Sequence, residues 1–129
     1  MIKVYVAGIS TNQEGEEIEI RYSIFKDGEN LAQVKKYQEY KKPFLVTHFA
    51  ILTLLKDLKK YPKEETEIII FDPSLFEQLR GTSTSKNKEA LKLSAKIKEE
   101  LEKFDYPVNI HDVTGKGQEK LEWNKVLEF

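Results

Sequence analysis

The stretch IIIFDPSLFEQLRG, Ile68 to Gly81, sets a carboxylate, Asp72, directly after four apolar residues and directly before a proline. At the end of a buried strand such an oxygen donor suits a hard divalent cation or a polar substrate group. In front of Pro73 the same side chain suits a helix N-cap, accepting backbone N–H bonds and complementing the helix dipole. Ser74 with Glu77 offers a capping box as another way to start that helix. His48 reads as a metal ligand or general base, or as a hydrogen-bonded structural residue on the inner side of an apolar helix. His111-Asp112 has the types needed to orient an imidazole for proton transfer. No nucleophile stands at a recognisable spacing from it, and strand alternation accounts for the pair.

Two stretches have the composition of phosphate-binding surfaces. RGTSTSKNK, Arg80 to Lys88, sets Thr82, Ser83, Thr84 and Ser85 between Arg80, Lys86 and Lys88, just ahead of a helix start. Hydroxyls, cations and free backbone amides together can hold a phosphate; the same residue types also build a helix-capping surface loop. Lys35, Lys36, Lys41 and Lys42 interleave with Tyr37 and Tyr40. That pattern can track a nucleic-acid backbone and stack a base, or it can protect an edge strand with lysines.

The elements that position these residues follow from periodicity. Ile2 to Ile9 is rich in β-branched residues and reads as a strand. After a polar turn pivoting on Gly15, Ile18, Ile20, Tyr22 and Ile24 share one face of a second strand. Asp27-Gly28 predicts a tight turn, and Leu31 to Tyr37 returns as a third antiparallel strand. From Phe44 to Leu58 the apolar step becomes three and four residues, describing a helix that ends near Tyr61-Pro62. Ile68 to Phe71 reads as a strand buried on both faces of a parallel sheet. A short helix is bounded by Pro73 and Gly81, and a longer one begins at about Lys86 with Ala90, Ser94, Ile97, Leu101 and Phe104 inward. Val108 to Val113 is the last strand and Leu121 to Phe129 a terminal helix. The order β-β-β-α-β-α-α-β-α makes one domain over residues 1–129: a mixed five-stranded sheet, antiparallel in strands 1–3 and parallel in strands 4 and 5, with flanking helices.

Composition narrows the partners. With 21 Lys and Arg against 22 Asp and Glu, the chain has no global pull toward nucleic acid or membrane, so any such binding needs a local patch. The absence of cysteine excludes disulfides and thiolate metal sites. The 33% charged content leans toward a thermophilic, intracellular protein. No signal-peptide pattern or membrane-length apolar run is seen, and a cytoplasmic location is expected. The terminal tract LEWNKVLEF carries the only Trp and reads as a core-docking helix, with an apolar face that also suits a homodimer or protein contact.

Four segments of this pattern resemble the ribonuclease H-like superfamily across nearly the whole chain. FDPSLFEQLRG is similar to its fourth-strand motif, where an aspartate ends the strand and a helix of the form xxVxxQLxG follows. HDVTGKG, His111 to Gly117, is similar to its last strand and glycine-containing loop. THFAILTLL sits where its first helix carries a glutamate, and VYVAGIS where its first strand carries an aspartate followed by glycine. The resemblance implies a protein that acts on RNA–DNA hybrids, with two Mg²⁺ or Mn²⁺ ions held by converging carboxylates. At those positions this chain has Ala7 (followed by the retained Gly8), His48 and Asp72, with Asn124 as the best fit to the last carboxylate and Glu122 or Glu119 in a shifted register. Lys116 stands where the family has a loop histidine, and Phe44-Leu45-Val46 replaces the family's polar helix start.

The sequence therefore predicts an eroded two-metal centre on a ribonuclease H-like fold, with no cofactor unless residual nuclease activity survives on Mg or Mn. RNA, DNA or RNA–DNA hybrid would be bound through Lys35, Lys36, Tyr37, Lys41, Lys42, Arg80, Thr82, Ser83, Lys86 and Lys88. One alternative is a surviving metal-dependent nuclease using Asp72 with Glu122 and perhaps a glutamate from Glu14 to Glu17. The other is a non-catalytic protein-interaction domain.

Overall fold

The computed structural model describes residues 1–10, 17–39 and 45–129. The tract 11–16 and Tyr40, Lys41, Lys42, Pro43 and Phe44 lie outside the described residues, so the turn at Gly15, three of the loop positions Glu14 to Glu17 and the second lysine pair receive no structural account. Five strands and four helices follow in the expected order: β1 (Ile2–Ile9), β2 (Glu17–Lys26), β3 (Glu29–Glu39), α1 (Val46–Leu58), β4 (Thr66–Ile70), α2 (Pro73–Arg80), α3 (Lys88–Glu102), β5 (Val108–Asp112) and α4 (Gly117–Val126). The sheet order is β3-β2-β1-β4-β5. β1 and β3 run antiparallel to β2, while β1–β4 and β4–β5 pair in parallel.

Strand alternation divides the sheet into two unequal faces. Ile2, Val4 and Val6 of β1, Ile18, Ile20, Tyr22 and Ile24 of β2, and Ile68 and Ile70 of β4 join Ile51, Leu54, Leu55 and Leu58 of α1, Leu75 of α2 and Ile97 of α3 in the main core. These side chains are buried, and each such aliphatic group contributes about 1.5–3 kcal/mol relative to exposure. The opposite face is smaller: Tyr5, Ala7, Ile69 and Val113 meet Leu127, with Trp123, Val126 and Phe129 packed around them. Among the described residues, α4 and the residues after it cover this side.

Element boundaries differ from expectation where polar residues hide regular structure. β3 runs beyond Leu31–Tyr37 to Glu29–Glu39, because a strand at the sheet edge tolerates charged side chains at both ends. α3 begins at Lys88 because Asn87 caps it, accepting from Ala90 N at 2.8 Å, which leaves Lys86 in the loop. α4 begins at Gly117, a turn and more ahead of the expected Leu121, and ends at Val126. Its first turn is made of Gly, Gln, Glu and Lys, which carry no apolar period.

Candidate functional site at the strand ends

The carboxyl-terminal ends of β4 and β5 lie side by side, with Ile70 opposite Asp112. Asp72 leaves β4 in an extended conformation (φ −157°, ψ 90°) and caps α2: its Oδ1 accepts from Leu75 N at 3.0 Å. Pro73 occupies the first turn, where its missing N–H has no cost, and Gly81 closes the helix at φ 77°. Ser74 and Glu77 do not form a capping box. Glu77 instead accepts the Thr82 hydroxyl.

A second carboxylate, Asp112, supports the first. Its Oδ1 accepts from Asp72 N at 3.0 Å and from Thr114 Oγ1 at 3.0 Å. In the sequence Asp112 reads only as part of an alternating pair. A signal is nonetheless present in the strand period, since Val108, Ile110 and Asp112 share one face and Asp112 lies next to the end of a strand, Val108 to Val113, expected in the same sheet as Asp72.

Gly8 explains how α1 comes so close to β1. A Cβ added there would meet the carbonyl oxygen of Val46, and would lie 2.6 Å from its carbonyl carbon. The first turn of α1 thus rests directly on the β1 backbone and carries His48 into the interior. His48 Nε2 donates to Gln78 Oε1 at 2.9 Å, and Nδ1 is buried without a partner. His48 and Gln78 are 1% and 6% exposed, so the imidazole is a core group linking α1 to α2.

The other family positions are occupied differently. Ala7 lies in the smaller core against Val113 and Leu127. Asn124 is exposed on α4. Glu122 of α4 accepts the Tyr5 hydroxyl at 2.7 Å on the smaller face of the sheet. Burial first, and then this carboxylate, push the Tyr5 phenol well above its ordinary value. Trp123 Nε1 donates to Val6 O at 3.1 Å, and Lys120 Nζ sits 4.4 Å from the Phe71 ring, which meets Trp123 edge to face. Lys116 lies 3.5 Å from His111 Nε2, whose closer neighbour is Glu119 Oε1 at 3.2 Å. Among the described residues, no group of three or more His, Asp or Glu side chains converges to hold a metal ion. A pair of divalent ions needs several anionic oxygens to offset mutual repulsion; among the described residues the carboxylates linked at the strand ends are Asp72 and Asp112.

The basic stretches are split by local geometry. Lys35 and Lys36 do not form one surface, because successive strand residues face opposite ways. Lys35 lies on the α4 face, 5.6 Å from the Phe129 ring, while Lys36 lies on the main-core face, 5.9 Å from the Tyr22 ring. Tyr37 shares the Lys35 side and donates to Glu19 at 3.1 Å; Glu19 also accepts from Arg21 at 2.9 Å. At the end of α2, just before the hydroxyl-rich loop, Arg80 stacks over Phe76 at 5.4 Å. The hydroxyls there serve the backbone: Ser83 Oγ accepts from Ser85 N, and Ser85 Oγ from Asn87 N. Ser74, Thr82, Ser83, Thr84 and Ser85 surround a shallow depression of about 370 Å³ that also contains Glu77. Lys86 and Lys88 are exposed beside it.

No family model matches the sequence, and no curated protein matches it significantly. Solved structures do match. Ribonuclease H1 from the halophilic archaeon Halobacterium salinarum is 17% identical with a TM-score of 0.76, covering 87% of this chain and 84% of that one. The compost-derived LC11 ribonuclease H1, in complex with an RNA/DNA hybrid, is also 17% identical with a TM-score of 0.70, over 92% and 90% of the two chains. The N-terminal ribonuclease H domain of a Mycobacterium tuberculosis protein is 16% identical with a TM-score of 0.68, over 87% and 86%. With the observed strand order and the four helices placed as described, the chain has the ribonuclease H-like fold.

Proposed function

We propose that this protein binds nucleic acid on a ribonuclease H-like scaffold whose divalent-ion centre has been lost, and that it cleaves hybrids little or not at all. The observation that carries the reading is the fate of the four family positions: an alanine in an apolar cluster, a histidine bonded to glutamine, an aspartate capping a helix and an exposed asparagine. A similar fold has been solved with an RNA/DNA hybrid bound, which favours a nucleic-acid partner over a purely protein-binding role. Arg80, Lys86 and Lys88, and separately Lys35 with Tyr37, are the contact groups in this reading, since cations and hydroxyls are the groups that bond phosphates.

Titration of single strands, duplex and hybrid across a range of salt tests it. Phosphate contacts predict an affinity that falls steeply as salt rises. No binding at low salt refutes the proposal. A surviving metal-dependent nuclease is the second reading, favoured by Asp112 as an acidic neighbour of Asp72 at a position to which the resemblance assigns no carboxylate. Hybrid cleavage in Mn²⁺ that is lost in Asp72→Asn, which keeps a capping oxygen, would establish it; no turnover at micromolar protein would end it.

A further inference from the structure

At the opposite end of the sheet, where the parallel strands begin, α1 and α3 terminate beside each other. Lys59 and Lys63 follow α1, Lys103 caps α3, and Phe104, Asp105 and Tyr106 lead toward β5. These six residues line a cavity of about 230 Å³. Its aromatic part is anchored by packing: Phe104 packs against the main core and meets Tyr106 edge to face at a centroid distance of 5.4 Å. Tyr106 is only partly buried and its hydroxyl has no hydrogen-bond partner among the described residues.

Charge distinguishes this cavity from an ordinary surface dent. Lys103 is neutralised by Glu100 at 3.0 Å and Glu99 at 3.8 Å. Lys59 and Lys63 have no anionic partner among the described residues, although the chain has as many acids as bases to offer. Two unpaired ammonium groups therefore flank an aromatic corner. Lysine acts toward phosphate as a point charge with three donors, and an aromatic ring presents a face on which a nucleobase stacks. Asp105 adds a carboxylate, which accepts from an exocyclic amine. The volume falls below the roughly 300–1,000 Å³ of drug-sized pockets, enough for a base, with sugar and phosphate extending outward toward the exposed Lys59 and Lys63.

We propose that this cavity binds a single nucleotide unit, base against Tyr106 and phosphate between Lys59 and Lys63, far from the strand ends discussed above. The ligand is a phosphorylated nucleoside, either free or at the end of a single strand. Titrate the whole protein with a 5′-mononucleotide at low salt and follow backbone amide resonances by NMR. Shifts are expected for residues 59–63 and 103–106. Affinity falls several-fold in Lys59→Ala/Lys63→Ala, two exposed changes that leave the core intact, and falls likewise in Tyr106→Ala. A 5′-phosphorylated oligonucleotide moves the same amides if strand ends are the natural source. No shift there with either ligand at millimolar concentration overturns the proposal, as does inorganic phosphate binding as tightly as the nucleotide. The signals lie apart from those of Arg80 to Lys88, so failure of hybrid binding at that loop leaves this test unaffected.

Discussion

The Asp112 carboxylate accepts the backbone N–H of Asp72 at 3.0 Å, so the end of one parallel strand is held by a side chain from the end of its neighbour. Asp72 is thereby fixed in the conformation from which its own carboxylate caps α2. The two aspartates act in series, one on the other's backbone and the second on a helix.

Removing either link should be measurable. Asp72→Ala should cost about 1 kcal/mol, the usual value of an N-cap, and Asp72→Asn much less. Asp112→Ala leaves the Asp72 N–H and the Thr114 hydroxyl without their acceptor and should cost about 1–3 kcal/mol. Urea unfolding at neutral pH reads both. An Asp112→Ala variant as stable as the parent would show that water replaces the bond without loss.

Gly8→Ala should destabilise by about 1–3 kcal/mol, because the added methyl meets the Val46 carbonyl and α1 must move away from β1. The strain is steric and comes from the close approach of two backbones. Thermal unfolding checks the magnitude. A shift of Val46 to His48 amide resonances checks that α1 is the element displaced.

Tyr22 is completely buried and donates to Asp57 Oδ2 at 2.5 Å, tying the middle of β2 to the last turn of α1. Burial alone would raise the Asp57 carboxyl, but the Tyr22 hydroxyl and Lys60 outweigh it and hold the carboxyl below its ordinary value. A carboxyl lowered by folding stabilises the protein above its unfolded pKa of about 3.9, and that stabilisation disappears as pH falls through the lower folded value. In Tyr22→Phe the strongest opposing group is gone and burial acts with less opposition. The variant should lose about 1–3 kcal/mol at neutral pH, and its acid transition should move to higher pH. Parallel acid titrations followed by circular dichroism test the direction.

If the loop after α2 meets phosphates as proposed, neutralising Arg80, Lys86 and Lys88 together should weaken binding to all sequences alike. The slope of log K against log salt should also flatten, by about 0.9 for each duplex phosphate no longer neutralised. A triple variant with unchanged affinity and slope would remove this loop from the interface. Lys35→Ala tests the other surface separately, since Lys36 points to the opposite side of the sheet.

Periodicity in the chain was enough to specify the element order and the main core. Ile18, Ile20, Tyr22 and Ile24 share a face because side chains alternate along a strand, and all four are buried. Asp72-Pro73 and Gly81 mark the ends of α2 because helix termini need an acceptor at one end and a left-handed residue at the other. These are local requirements, met within a few residues, and the sequence alone determined them. What it left open concerned partners distant along the chain. Asp72 is held by Asp112, His48 is bonded to Gln78, Glu122 is engaged by Tyr5, and Ala7 is covered by α4. Which face of the sheet Lys35 and Lys36 each meet was likewise set by the pairing of β3 with β2. Each of these outcomes depends on which backbone lies next to which, and only packing of the helices on the sheet decided that.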